Sequence, residues 1–207
     1  MLRVALTGGI ASGKSIVAEV FRRRGFAFFS ADRAGRDVMS PLGVAYAPIV
    51  ERFGPAILAA DRTINRAALA KILFADAGAR RFVESIVHPL VLSVLRAEAA
   101  RLESEGRTDV LVSESALTFE AGLADEFDRI VVVHCDPEVQ IERLMARDGI
   151  GRDDALARIG AQMSAAEKIK RANYTIDASG ALEETIARAE AVATLLEDEA
   201  RAGRINA

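Results

Sequence analysis

LRVALTGGIASGKSIVAEVF, residues 2–21, decides how the rest of the chain is read. It opens with the apolar run LRVAL (2–6), the pattern of a strand buried on both faces. The run breaks at Gly8 and Gly9. From Lys14 to Arg24 the apolar residues Ile16, Val17, Val20 and Phe21 recur at helical spacing, with Gly25 as a stop signal. Between strand and helix, Gly8-Gly9-Ile10-Ala11-Ser12-Gly13-Lys14-Ser15 satisfies G-x-x-x-x-G-K-[ST] in full. Glycines let successive N–H groups turn inward around a phosphate, which bulkier side chains would obstruct. The following helix points its positive end at the same anion. Lys14 has the reach for the β- and γ-phosphates, and the Ser15 hydroxyl is a candidate Mg²⁺ ligand. An ordinary glycine turn is the alternative, but the motif arrives with the strand and helix that phosphate binding requires. The expectation is a nucleoside triphosphate held by residues Gly8 to Ile16. No N-K-x-D guanine-reading segment follows a late strand, which favours ATP over GTP.

Outward from the loop, FAFF (26–29) reads as a second strand and completes a βαβ unit. DVLVS (109–113), DRIVVVH (128–134) and NYTID (173–177) read as three more. The middle of the chain, 34–105, is patterned as helix almost throughout, with Asp76 as a cap for a long helix and Pro89 expected to kink or divide it. Asp136-Pro137 opens a further helix, with the aspartate as cap, that ends near Gly149; a polar, arginine-containing stretch and more helix follow, and 181–200 is a terminal helix. Strands alternating with helices imply an open parallel sheet covered on both faces, with ligands beyond the carboxyl ends of the strands. The breaks at those ends are the glycine loop, Ser30–Asp32 and Ser113–Glu120.

The chain has 207 residues and is 51% hydrophobic, enough for a sizeable core without staples. A net charge of −3 argues against a nucleic-acid coat while leaving room for a local arginine cluster. Cys135 is the single cysteine and there are two histidines, so neither an intramolecular disulfide nor a histidine-rich metal site is expected. No run approaches a membrane span and the N-terminus lacks a signal-peptide layout, so the expected location is cytoplasmic.

Asp32, just past the second strand, is placed to orient or deprotonate an attacking hydroxyl, or merely to charge a helix start. Arg143 and Arg147, four apart, share a helix face and suit closing over phosphates, with a solvated basic face as the alternative. In order along the chain stand TGGIASGKS, SAD (30–32), HPLV (88–91), LTFEAGL (117–123) and QIERLMARDG (140–149). Their order and spacing, from Leu6 to about Gly180, resemble the dephospho-CoA kinase family. The resemblance implies an α/β P-loop kinase of the nucleoside-monophosphate-kinase type. Such a fold has a five-stranded parallel sheet flanked by helices, a helical substrate-binding insertion and a small lid. On this chain the core would be about 1–33, 107–140 and 172–207, the helical acceptor region about 34–106 and the lid about 141–171.

The resemblance implies ATP with Mg²⁺ as phosphate donor and dephospho-CoA as acceptor. Asp32 is implied to activate the ribose 3′-hydroxyl, with Lys14, Arg143 and Arg147 catalytic. It implies His88, Phe119 and Glu120 near the acceptor, and a structural part for Gln140, Arg158 and Gln162. The chain departs from the family pattern at Ser30, where an aspartate is usual, and at Ala116 and Thr118, which are expected to loosen a turn. It departs again at Asn173, and at Ala178 in place of an asparagine near the base. Glu114, after the third strand, is a candidate water-mediated Mg²⁺ partner or a surface charge. Two other readings remain open at this stage: a P-loop kinase for another small hydroxyl or nucleotide acceptor, and a weakened, ATP-binding relative. Oligomeric state is left open.

Overall fold

A computed structural model describes residues 1–205. Five strands form: β1 (Leu2–Gly8), β2 (Ala27–Ser30), β3 (Val110–Glu114), β4 (Arg129–His134) and β5 (Tyr174–Asp177), in the order β2-β3-β1-β4-β5. β1 runs parallel to β3 and β4, and β4 to β5, with Leu2 opposite Val110, Val4 opposite Arg129 and Val131 opposite Tyr174. Parallel neighbours need crossovers, and helices supply them. They are α1 (Lys14–Arg23) after β1, and α2 (Ala31–Val38), α3 (Tyr46–Phe53), α4 (Arg66–Ala75) and α5 (Ala77–Glu105) before β3. Between β4 and β5 lie α6 (Pro137–Asp148), α7 (Arg152–Gly160) and α8 (Ala165–Lys170), and α9 (Leu182–Ile205) follows β5. β1 lies between β3 and β4; the chain passes from β1 to β2 on one side and later from β3 across β1 to β4 on the other, and this reversal is where such sheets open a crevice.

The chain divides into two compact units, Met1–Phe29 with Ala99–Ala207, and Ser30–Glu98. In the first, alternation along the strands splits the core. Val4, Leu6, Val131 and Val133 pack with Val17, Val20 and Phe21 of α1 and Leu196 of α9. Ala5, Ile130 and Val132 face the other way, against Phe119, Met163 and Ile169. Arg24 ties the end of α1 to α9, with ion pairs to Glu190 at 2.9 Å and Glu197 at 2.6 Å. The second unit has its own core of Ala45, Ile49, Ile57, Leu69 and Val83.

Asp76 caps α5 as expected: its Oδ1 accepts from the N–H groups of Gly78 at 2.7 Å and Ala79 at 3.1 Å. Three expectations are corrected. Pro89 does not divide α5, which runs unbroken from Ala77 to Glu105. Its missing N–H orphans only the Ser85 carbonyl, and both residues are exposed, where water satisfies the acceptor. Asp136 occupies the cap position of α6, but its side chain makes no capping bond; its N–H donates to Ser179 Oγ at 2.9 Å. Nor is the turn at Ala116–Thr118 loose. The Leu123 N–H reaches the Thr118 carbonyl at 3.0 Å, and the Ala121 N–H reaches that of Leu117 at 2.8 Å.

Candidate active site

The loop between β1 and α1 folds as a phosphate cradle. Gly8 has φ 149° and a β-carbon there would lie 2.1 Å from the Val133 carbonyl oxygen, so only glycine lets β1 leave the sheet this close to β4. Gly13 stands at the cap position of α1 with φ 97°; no side chain caps the helix and no acidic residue lies in its first turn. The first N–H groups of a helix lack intrahelical acceptors, so this end attracts anions. Ser15 is exposed there, and Ile16, half-buried, closes the turn with its N–H on the Gly13 carbonyl at 3.1 Å. Within the cradle, Thr7 Oγ1 and Ser12 Oγ are buried and find no hydrogen-bond partner among the described residues.

Lys14 Nζ donates to the carbonyls of Gly8 at 3.0 Å and Gly9 at 2.7 Å. Burial brings its pKa down to about 8; Glu114 opposes the shift, while Lys168 and Arg147 add to it. Glu114, the largest negative influence on Lys14, also lies 3.6 Å from Arg22 Nη2.

The two arginines four apart on α6 differ. Arg143 turns inward: its Nη1 is buried without a partner among the described residues, 3.7 Å from where a β-carbon of Gly13 would sit. Arg147 is half-exposed and gripped by Asp148, Nε to Oδ1 at 2.7 Å, and Arg158 shares that carboxylate at 2.7 Å. Cys135, at the end of β4, is buried; burial raises its thiol pKa, partly offset by Arg143 beside it.

The segment after β3 is occupied by packing. Phe119 is buried with Ala5 and Val132, its ring centroid 5.8 Å from the Arg171 guanidinium. Glu120 Oε1 accepts from the Met163 N–H at 2.9 Å and pairs with Lys168 at 2.9 Å. Lys168 is fully buried, and its Nζ also donates to the Ala116 carbonyl at 2.6 Å. No sequence signal announced this lysine, because the short helix AAEKIK reads as solvated charge. Ala178, fully buried, lies 3.0 Å from the position of a Gly13 β-carbon, so its methyl packs on the loop. The Asn173 amide oxygen accepts from the Ile130 N–H at 2.7 Å, tying it to β4.

In the second unit, Ser30 caps α2, its Oγ accepting from the Arg33 N–H at 3.2 Å. A serine fills the cap position as an aspartate would. Asp32 lies in the first turn of α2, half-exposed, paired with Arg36 on its own helix and with Arg66 of α4 at 3.6 Å. Sequence reasoning missed Arg66; an arginine opening a helix carries no local hint of a partner 34 positions upstream. His88 is half-buried on α5. Among the described residues, no helix is long and apolar enough to cross a membrane.

Comparison with known proteins supplies the context. Residues 2–184 match the family model described as dephospho-CoA kinase. A dephospho-CoA kinase from Carboxydothermus hydrogenoformans is 45% identical over 182 residues, covering 88% of each chain. A crystal structure from Thermus thermophilus (TT1252) superposes with a TM-score of 0.81 at 31% identity, covering 94% of this chain and 96% of that one. The dephospho-CoA kinase from Campylobacter jejuni has the same fold, with a TM-score of 0.71 at 24% identity over 95% of this chain and 98% of that one.

Proposed function

The chain belongs to the dephospho-CoA kinase family, and from that premise we propose how its residues perform the phosphoryl transfer. The activity is ATP-dependent phosphorylation of the ribose 3′-hydroxyl of dephospho-CoA, giving coenzyme A and ADP, the last step of coenzyme A biosynthesis. One observation carries the donor half. Around a cradle formed by residues 8–15 lie buried side-chain atoms of Thr7, Ser12 and Arg143 with no partner among the described residues, beside the half-buried Lys14.

Lys14 and the amides at the start of α1 hold the triphosphate, with Arg143 neutralising charge on the transferring group. Phosphoryl transfer demands mostly positioning and charge neutralisation, and guanidinium groups supply both without changing protonation state. Arg147, now on Asp148, is the second arginine available to the nucleotide. Mg²⁺ in such sites takes most of its ligands from phosphates and water. Ser15 would hold that ion, with Glu114 near enough to Lys14 to act through water. When bound, Mg²⁺ neutralises charge on the phosphate oxygens.

Asp32 accepts the hydrogen bond of the 3′-hydroxyl and takes its proton as the new P–O bond forms. Ion pairs with Arg36 and Arg66 hold its carboxylate in one orientation, and His88 belongs to the same acceptor unit. Phe119 and Glu120 keep the loop after β3 in place, the one by packing on the sheet and the other through Lys168 and the Met163 N–H. We place the reaction in the cytoplasm, where ATP is at hand.

The test is ADP release by the purified protein with MgATP and dephospho-CoA, AMP or no acceptor, with mass detection of the product. One added phosphate on dephospho-CoA alone is expected. Asp32→Asn should keep the fold and lose kcat by about 100-fold or more; full activity in that variant would rule out the acceptor role.

A further inference from the structure

The backbone of Ile10 is held from both sides. Its N–H donates to Gln162 Oε1 at 2.8 Å, and its carbonyl accepts from Gln140 Nε2 at 2.7 Å, both bonds partly buried. The backbone groups dictate which end of each amide faces in: an N–H requires the oxygen of Gln162, and a C=O requires the nitrogen of Gln140. The amides close over Gly9, where a β-carbon would lie 2.5 Å from Gln140 Nε2. The Ile10 and Ala11 side chains also pack against the apolar cluster of α6 and α7 built on Ile141, Leu144 and Ala155. Next to this clamp, Ala11 has φ 57°, a left-handed conformation unfavourable for a residue with a β-carbon. Such a conformation persists only where its surroundings over-determine it.

We propose that Gln140 and Gln162 are positioning residues for the donor nucleotide. By pinning the peptide groups on both sides of Ile10 they fix the direction of the remaining loop amides, and they set the α6–α7 hairpin, which carries Arg143 and Arg147, in register with the loop. The placement supports this. Gln140 lies in the first turns of α6 and Gln162 just beyond the end of α7, so each end of the hairpin holds one of the two peptide groups that flank the Ile10 α-carbon. An excursion of the hairpin is therefore felt directly at the phosphate loop. The inference rests on reading that loop as the phosphate site.

The test exploits the opposite polarity of the two bonds. Gln162→Glu keeps an oxygen for the Ile10 N–H, whereas Gln140→Glu sets a carboxylate against the Ile10 carbonyl. Both variants add the same charge beside the loop, so its field on the nucleotide is common to the pair and their difference reads the hydrogen bond. Gln140→Glu is expected to have kcat/KM for ATP at least about tenfold below that of Gln162→Glu, with KM for dephospho-CoA unchanged in both. In the neutral pair, Gln162→Met is expected to lose hydrogen-exchange protection at the Ile10 amide, and Gln140→Met to keep it. A role in packing alone would move thermal stability in every variant and produce neither asymmetry. Equal ATP kinetics in the two Glu variants, or unchanged Ile10 protection in Gln162→Met, overturns the proposal. Lys14→Ala keeps the two failures apart. If it binds ATP as the parent does, the phosphate reading falls; if it loses ATP while all four glutamine variants match the parent, only the positioning role falls.

Discussion

Raising the pH should loosen ATP through Lys14 alone before it affects the rest of the loop. Burial brings this lysine to about pKa 8, and phosphate recognition requires its ammonium form. A group titrating there is about 90% protonated at pH 7 and about 9% at pH 9, a loss of about tenfold in the binding-competent form. The Kd for a non-hydrolysable ATP analogue with Mg²⁺, measured by calorimetry from pH 7 to pH 9, should therefore weaken about tenfold. Lys14→Arg, whose guanidinium stays charged, should show a flat profile over the same range. Stability without nucleotide should move in the opposite direction. The folded pKa lies below the ordinary lysine value of 10.5, so the fold prefers neutral Lys14, and the cost is in full force below about pH 8. Relief of that cost between about pH 8 and 10.5 amounts to about 3 kcal/mol at most, read as the difference in urea stability between the parent and Lys14→Met across that window. A parent Kd that stays constant from pH 7 to pH 9 would refute the assignment of Lys14 as a buried, phosphate-binding ammonium.

Two more outcomes follow from single contacts. Gly8→Ala forces a β-carbon to 2.1 Å from the Val133 carbonyl oxygen; chemical denaturation should show a loss of about 3 kcal/mol or more, and ATP binding should fail with it. Glu120→Gln leaves the buried Lys168 ammonium with the Ala116 carbonyl and no counter-charge. Destabilisation of about 3 kcal/mol is expected, relieved in Glu120→Gln/Lys168→Met, where removing both charges removes the penalty.

What the sequence determined by itself is the part that depends on neighbours along the chain. The run 2–6, the glycines, Lys14 and Ser15 lie within one strand-turn-helix, so spacing alone specified a phosphate cradle and where in the sheet it opens. Apolar runs within 26–29, 109–113 and 128–134 marked β2, β3 and β4, because a covered strand leaves few polar positions, while β5 at the sheet edge keeps the polar Thr175 exposed. Asp76 capped its helix for the same local reason. The order of motifs was enough to point to the family and, through it, to Asp32.

The tertiary structure alone decided the contacts between residues far apart. Gln140 and Gln162 reach Ile10 across 130 and 152 positions, and no periodicity connects them to it. Lys168 reads as one more charge on a polar helix, yet it is fully buried, because α8 packs beside the sheet where Glu120 and the Ala116 carbonyl receive the ammonium. Arg143 and Arg147 are equivalent by spacing, but Asp148 holds Arg147 outward while Nη1 of Arg143 is buried beside Gly13. A side chain's partner is set by which surfaces the core brings together, and the core is built by apolar residues that do not encode which polar groups will meet.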